Sequence, residues 1–385
     1  MSALQLEQQL ERAFDSAIKR NSFSKVNLLK RADHICVFGL GKYFGEAFIQ
    51  QNVRKRFQVD YLCDNNEGRL AELKQDDRFQ DLHIISPNEL KKLKNTVVIF
   101  MLGDPRTAIE QIKELVGIEN CISYNDLVLD DIMGSDKELN DYTASKAELF
   151  TVFDLLADDL SREIYTNIFC LRVAPDLANT TYEAMCTLPQ YFPQDIIQLT
   201  QDECFVDCGA YIGDTLEIFS NLTDAKFKKY YAFELDENNF AELLKKGELI
   251  QANSKNGAKV ICYPYGVWKE DTMISYGTMA SADSYSVYNP REVKTARMIK
   301  LDSLLRHEKV SFIKMDIEGS ELEALKGAQT IIKEQRPKMA ICVYHKIEDL
   351  WKIPLFLHKI NPEYKIYIRH HAKFWVSETV CYAIP

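Results

Sequence analysis

Between Phe205 and Thr215 the chain reads FVDCGAYIGDT: an apolar run ending on Asp207, then Gly209, Ala210 and Gly213, then Asp214. Glycine tolerates positive φ and leaves bare backbone, so such a turn lets a ligand lie against the main chain. About 20 residues beyond Gly213, the strand run KYYAFE ends on Glu234. An acid at that spacing after a glycine turn suits the two hydroxyls of a ribose. Later, SFIKMDIEGSE carries Asp316 and Glu318 beside Gly319, and CVYHKIEDLW carries His345. In an extended segment Asp316 and Glu318 share a face. Carboxylates and an imidazole of this kind can take a proton from a hydroxyl.

The charges flanking the glycines narrow the ligand. Asp207 and Asp214 would repel a pyrophosphate but attract a ligand bearing a sulfonium and an ammonium group. With Glu234 for the ribose, that favours S-adenosylmethionine over NAD, held by Asp207, Gly209, Ala210, Gly213, Asp214 and Glu234. The plainer reading of the same turn is a tight loop with Asp214 as helix N-cap. Methyl transfer is an in-line displacement that asks for positioning and a base, so Asp316, Glu318 and His345 are the catalytic candidates. Otherwise Asp316 or Glu318 caps the helix ELEALKGA. Local spacing demands no metal at Asp316, Glu318 and His345, methyl transfer needs none, and none is expected. His370 and His371, after IYIR, are placed for the same mouth, and His307 for solvent. Tyr191 and Phe192, in LPQYFPQDI, read as packing of a connector rather than as walls of the site.

A second glycine turn, VFGLGKYFG, holds Gly39, Gly41 and Gly45, and Asp64 follows at a comparable distance. The pattern fits a dinucleotide fingerprint. It leaves NAD(P) or a nucleotide-sugar open for this region. The unit has too few strands for the two halves of a full NAD fold. No Tyr-x-x-x-Lys or Cys/His set follows it. An accessory packing or partner domain is the expectation.

The elements that must position these residues form two alternations of strand and helix, which predict an α/β protein with two Rossmann-like units. A length of 385 residues suits two domains. Expected bounds are an N-terminal helix at 1–30, a small Rossmann-like domain at 31–135, a helical connector at 136–200 and a second sheet unit at 201–385. The last two strands, YKIYIRHH and ETVCYAIP, lack an intervening helix and predict an antiparallel edge. A polar stretch, Met273 to Arg291, rich in Ser and Tyr, interrupts the second unit between its third and fourth strands. The net charge of −10 argues against non-specific binding to nucleic acid. Ten scattered cysteines without metal spacing predict a reduced, cytoplasmic protein. The run VVIFML is too short for a membrane span, and LQLEQQLERAFDSAIKR reads as an amphipathic helix rather than a signal peptide.

Taken in order, FVDCGAYIGDT, YYAFELDENNFAELLKK, ARMIKLDSLL and SFIKMDIEGSELEALKGA resemble the FkbM family of S-adenosylmethionine-dependent methyltransferases, over roughly residues 190–385. IKMDIEGSELEALKGA is the most specific block. The resemblance implies a Rossmann-like methyltransferase fold, a seven-stranded sheet with its last strand antiparallel, and O-methylation, often of sugars or natural products. The first unit resembles the small Rossmann-like domain ahead of some FkbM-type domains. Methyltransferases of exocyclic base amines usually carry Asn/Asp-Pro-Pro-aromatic at the fourth strand end; this chain has DIEG there, and YNPR, Tyr288 to Arg291, precedes that strand. The expected function is O-methylation of a sugar hydroxyl on a glycan or nucleotide-sugar. The alternatives are an NAD(P)- or nucleotide-sugar-binding enzyme working from the first unit, and a non-catalytic binding protein. The expected partner is a small-molecule or glycan acceptor, not nucleic acid; self-association as a homo-oligomer is left open.

Overall fold

The computed structural model describes residues 1–20, 25–40, 58–100, 106–117, 120–123, 127, 143–174, 177–278, 285–286, 294–373 and 376–385. Gly41, Gly45, the helix expected after them, the boundary near residue 135 and the YNPR segment lie outside these residues.

The first sheet joins β1 (His34–Phe38), β2 (Tyr61–Cys63), β3 (His83–Ile85), β4 (Thr96–Phe100) and β5 (Cys121–Ser123). Its order is β3-β2-β1-β4-β5, and every pair is parallel. The central strands are apolar on both faces: Ile35 to Phe38 and all of β4 are buried. A parallel sheet covered on both sides demands that composition.

The second sheet joins β6 (Cys204–Cys208), β7 (Lys229–Phe233), β8 (Lys259–Tyr263), β13 (Phe312–Met315), β14 (Lys338–Cys342), β15 (Lys365–His370) and β16 (Thr379–Ile384). Its order is β15-β16-β14-β13-β6-β7-β8. β16 runs antiparallel to both of its neighbours, and the other pairs are parallel. The expected seven-stranded sheet with its last strand antiparallel is present. The order reverses between β6 and β13, which opens a crevice at their carboxyl ends.

A small third sheet fills the interruption after β8. β9 (Gly266–Val267), β10 (Thr272–Thr278), β11 (Tyr285–Ser286) and β12 (Lys294–Ile299) assemble in the order β11-β10-β12-β9. The polar stretch from Met273 therefore begins as a strand, paired antiparallel with β12. Residues 279–284 and 287–293 of it lie outside the described set.

The N-terminal helix, Ala3–Arg20, packs on the second sheet's core. Leu6, Leu10, Ala13, Phe14 and Ala17 join one buried cluster with Val152, Phe169, Val206, Ile313 and Met315. The repeat of apolar residues along this helix made one face apolar; Phe14 stacks on Phe169 at 6.2 Å between ring centroids. Helices Lys146–Leu155 and Asp159–Val173 extend the cover to the sheet edge. There the Ala157 N–H donates to the Ile366 carbonyl at 2.8 Å, and Arg369 pairs with Asp158 at 2.7 Å and Asp195 at 2.6 Å.

Candidate active site

Register builds the site. Asp207 on β6 lies directly across from Lys314 on β13, as Phe205 lies across from Phe312. Residues opposite one another share a face of the sheet, and so do residues two apart along a strand. Phe205 and Phe312 stack at 4.6 Å, and Lys314 Nζ reaches Asp207 Oδ1 at 3.0 Å. Both charged side chains are buried. Lys314 also donates to the Gly209 carbonyl at 2.7 Å, and the Tyr230 hydroxyl donates to Asp207 Oδ2 at 2.5 Å. Burial pushes the Asp207 carboxyl up, and Lys314 pulls it back. Burial likewise opposes charge on Lys314, but Asp207 and Asp316 hold its ammonium protonated.

The glycine turn folds inward. Gly209 and Ala210 N–H both donate to the Phe233 carbonyl, at 3.0 and 2.9 Å. Tyr211 N–H donates to Glu234 Oε2 at 2.9 Å, and Gly213 N–H to the Ala210 carbonyl at 2.8 Å. These donors are spent inside the protein, so the turn is no phosphate nest. Gly209 adopts φ +81°, and a Cβ there would lie 1.9 Å from the Asp316 carbonyl oxygen. The close approach that requires glycine is thus to β13's own exit, not to open space. Gly213 is the N-cap of helix Asp214–Leu222, also with left-handed φ; Asp214 is exposed in its first turn, where a carboxylate suits the helix dipole.

Glu234, at the end of β7, accepts Tyr211 N–H on one oxygen and Asp236 N–H on the other, at 2.8 Å. It is nearly buried. Burial pushes its carboxyl up to about 7, against the two N–H groups that favour its charge. Each oxygen keeps a lone pair for a further donor.

Asp316 leaves β13 on the same side as Lys314. Neither Asp316 nor Glu318 caps the following helix; Ser320 occupies the N-cap position of Glu321–Lys326. Instead Asp316 accepts the Tyr191 hydroxyl at 2.7 Å on one oxygen and the Tyr344 hydroxyl at 2.9 Å on the other. Burial opposes its charge, but Lys314, His345 and the two hydroxyls outweigh that and hold the carboxyl below its ordinary range. Tyr344 is itself fixed from the connector: buried Arg172 donates to its carbonyl at 3.0 Å. Glu318 and Gly319 both take left-handed φ, +55° and +81°, and Lys346 Nζ clips this turn by donating to the Gly319 carbonyl.

His345 follows β14 and is 1% exposed, whereas the side chains of Asp316 and Glu318 are 21% and 28% exposed. Its Nε2 lies 3.4 Å from Glu318 Oε2 and 3.6 Å from Asp316 Oδ1; its Nδ1 lies 3.1 Å from Glu321 Oε1. Burial disfavours the imidazolium, but Glu321 and Glu318 outweigh it and hold the pKa well above its ordinary value. Glu378, on the turn into β16, also belongs to this neighbourhood: burial and the charge of Asp316 push its carboxyl up to about 7.

The fold thus gathers Asp316, Glu318 and His345 at one edge and sets Asp207, Gly209, Ala210, Gly213, Asp214 and Glu234 along the adjoining strands. His370 and His371 turn away from that mouth. His370 is buried with Nδ1 on Thr379 Oγ1, and His371 uses both ring nitrogens, on the Thr187 carbonyl and the Tyr382 hydroxyl. His307 is exposed. Phe192 packs in the core as expected, but Tyr191 does more than pack, since its hydroxyl holds Asp316. Sequence reading missed Lys314, Glu321, Tyr344 and Glu378. Lys314 had a legible signal, a cation inside the apolar run FIKM; the other three had none that was local. A groove of about 910 Å³ opens at the opposite edge of this sheet, but its Lys229 and Lys338 are paired with Glu308 and Glu203.

All ten cysteines are free, and among the described residues no helix is long and apolar enough to cross a membrane. No curated protein matches the chain. The crystal structure of methyltransferase FkbM from Methylobacillus flagellatus KT matches it with a TM-score of 0.70 at 22% identity, covering 99% of this chain and 100% of that one. At that identity the likeness speaks for the fold. Two others share far less: the fibrillarin/Nop5p complex (TM-score 0.31, 19% identity, 49% of this chain and 75% of that one) and Aeropyrum pernix fibrillarin with natively bound S-adenosyl-L-methionine (0.30, 13%, 50% and 71%). Residues 207–365 match the model of the methyltransferase FkbM domain. The matched span holds both the glycine turn and the DIEG edge, on a fold shared with the Methylobacillus flagellatus protein.

Proposed function

We propose that the second sheet unit is an S-adenosylmethionine-dependent O-methyltransferase acting on a sugar hydroxyl. The observation that carries the cofactor is the inward-folded turn and Glu234 set beside the charged exits of β6 and β13, where Asp207, Lys314 and Asp316 lie. The turn's N–H groups at 209, 210, 211 and 213 are spent on Phe233, Glu234 and Ala210, while Asp207 and Asp214 flank it. Asp207 is paired with Lys314, so Asp214 and Glu234 are the carboxylates left for a cation, and the four spent N–H groups offer a pyrophosphate nothing. Glu234, with a lone pair left on each oxygen, fits the vicinal hydroxyls of a ribose. When bound, S-adenosylmethionine supplies a methyl group activated by its positive sulfur.

The residues then divide the work. The buried Asp207–Lys314 pair fixes the exits of β6 and β13 against each other, and Lys314 ties the Gly209 carbonyl to the same point. Asp316 is held by two tyrosine hydroxyls and is the poorer proton acceptor for it. His345 is buried and held protonated. Glu318, partly exposed at the mouth, is the carboxylate free to meet an acceptor, and we assign it the hydroxyl proton, with His345 stabilising its charge. Asp316 orients the acceptor. The acceptor class rests on the Ser- and Tyr-rich stretch that begins at β10, since many hydroxyls and flat aromatic faces suit a polyhydroxylated molecule.

Calorimetry with S-adenosylmethionine, its demethylated product and NADH tests the first half. Binding of NADH alone would overturn it. Labelled S-adenosylmethionine offered nucleotide-sugars, glycans, small phenols and RNA tests the second. Label in phenols or RNA with none in any carbohydrate would remove the sugar acceptor and leave the methyltransferase.

A further inference from the structure

Three residues from separate parts of the chain converge beneath the mouth. Asp316 comes from the end of β13, Glu321 from the first turn of the next helix, and His345 from beyond β14. One donor atom of each lies within 4.8 Å of the other two. Such a spacing leaves room for one ion among the three. Both ring nitrogens of His345 and Oε2 of Glu321 are buried with no hydrogen-bond partner among the described residues. His345 lies 3.1 Å from Glu321 and 3.6 Å from Asp316, yet neither approach is directed as a hydrogen bond. Ligands at about 2.1 Å from a common ion stand about 3 Å apart when adjacent and about 4.2 Å apart when opposite.

The surroundings favour a cation. Glu318 and Asp349 add carboxylates to the same cluster, and buried Asp349 faces Glu321. The nearby ammonium groups make their direct contacts outside the three ligands, Lys314 with Asp207 and the Gly209 carbonyl and Lys346 with the Gly319 carbonyl, and act on Asp316 and Asp349 only through their charge. The candidate ligands are also held from behind. Tyr191 and Tyr344 hydroxyls fix Asp316, and Ile317 N–H donates to Glu321 Oε1 at 2.8 Å. Outer partners of this kind orient metal ligands.

We propose that Asp316, Glu321 and His345 form a binding site for a divalent transition-metal ion. The ion takes the place of one proton of the metal-free imidazolium, so that binding releases that proton and tightens as pH rises. One imidazole with two carboxylates suits Mn²⁺ or Zn²⁺ better than Mg²⁺ or Ca²⁺, which prefer oxygen throughout. The binding stands whether or not S-adenosylmethionine is the cofactor. Its use rests on the methyltransferase reading: an ion beside Glu318 would polarise an acceptor hydroxyl as a Lewis acid.

The test is titration of chelator-treated full-length protein with Mn²⁺, following the electron paramagnetic resonance of the free aquo ion. The signal should fall with a single site per chain, and Zn²⁺ should displace the ion where Mg²⁺ does not. Glu321→Gln and His345→Ala should each weaken binding about tenfold or more, with circular dichroism confirming the fold. Asp316→Asn, partly exposed, serves if a buried variant fails to fold. An unaltered aquo signal with the wild-type protein would overturn the proposal, as would variants that bind Mn²⁺ like wild type. Calorimetry with S-adenosylmethionine on the metal-free protein reads the cofactor separately, so failure of one leaves the other standing.

Discussion

The first strands of the two sheets are left in the same way. In the first, Gly39 N–H donates to the Cys63 carbonyl, Leu40 N–H to Asp64 Oδ2 at 2.6 Å, and Asn66 N–H to Asp64 Oδ1 at 2.8 Å. In the second, Gly209 N–H donates to the Phe233 carbonyl, Tyr211 N–H to Glu234 Oε2, and Asp236 N–H to Glu234 Oε1. Gly39 and Gly209 both take left-handed φ. The glycine and the distant acid are therefore a device for tying the exit of one strand to the end of the next, and they say little alone about a ligand. The difference lies in the two central strands. β1 and β4 are apolar to their ends, Phe38 and Phe100, whereas β6 and β13 carry Asp207 and Lys314 in the buried sheet and Asp316 at its rim. Buried charge is costly and persists only where it is paired. Among the described residues its restriction to one of two similar units marks where the chemistry belongs.

The largest expected effect concerns the boundary of the second core. Deleting residues 1–20 removes Leu6, Leu10 and Phe14, all buried against that core. At about 1.5–3 kcal/mol for each large buried side chain, the loss is about 5 kcal/mol or more. Denaturant unfolding followed by a probe in the second sheet reads it. An unchanged midpoint would return the helix to the first unit or to none.

Next comes the chemistry itself. Glu318→Gln should lower turnover by about 10²–10⁴-fold while leaving cofactor affinity in place, because it removes a proton acceptor and little else. Asp64→Asn, which disturbs the carboxylate at the first strand exit of the apolar unit, should leave turnover near wild type. Equal losses from both would mean that the first turn shares in catalysis.

Glycine substitutions then separate strain from crowding. Gly209→Ala meets both left-handed φ and the Asp316 carbonyl, and should cost about 2–4 kcal/mol. Gly257 has φ +75° with nothing within 4 Å, so Gly257→Ala should cost only about 1 kcal/mol. Equal costs would show that the loop yields and that the approach to β13 is not rigid.

Glu234 carries the smaller effects. Glu234→Ala should weaken S-adenosylmethionine by about 1.5–3 kcal/mol, the worth of charge-assisted hydrogen bonds. Since burial places its pKa at about 7, the ionised acceptor is lost on acidification. Affinity should fall about tenfold from about pH 8 to about pH 6, and Glu234→Gln should flatten that dependence. Stability of the free protein runs the other way. A carboxyl raised in the folded state favours folding most at low pH and loses that contribution as pH rises through about 7. A cofactor affinity that does not change with pH would mean that Glu234 meets no ligand hydroxyl.

Much of this was legible in the chain. The two alternations, the glycine turns, the acid at the end of each second strand and the DIEG block are local signals, because periodicity and turn chemistry act over a few residues. The antiparallel edge followed from two strands with no helix between them. What no local pattern carried was which residues would meet. Asp207 pairs with Lys314 because β6 and β13 adjoin in one register. Tyr191 and Tyr344 reach Asp316 because the connector and β14 converge on the same rim. Glu321 faces His345 because the chain after β13 and the chain after β14 converge, and His371 turns into the core because Tyr382 and Thr187 receive it. Such partners are chosen by strand order, register and close packing across long stretches of chain. The sequence determined the turns and the elements; the tertiary structure decided which charges are buried together.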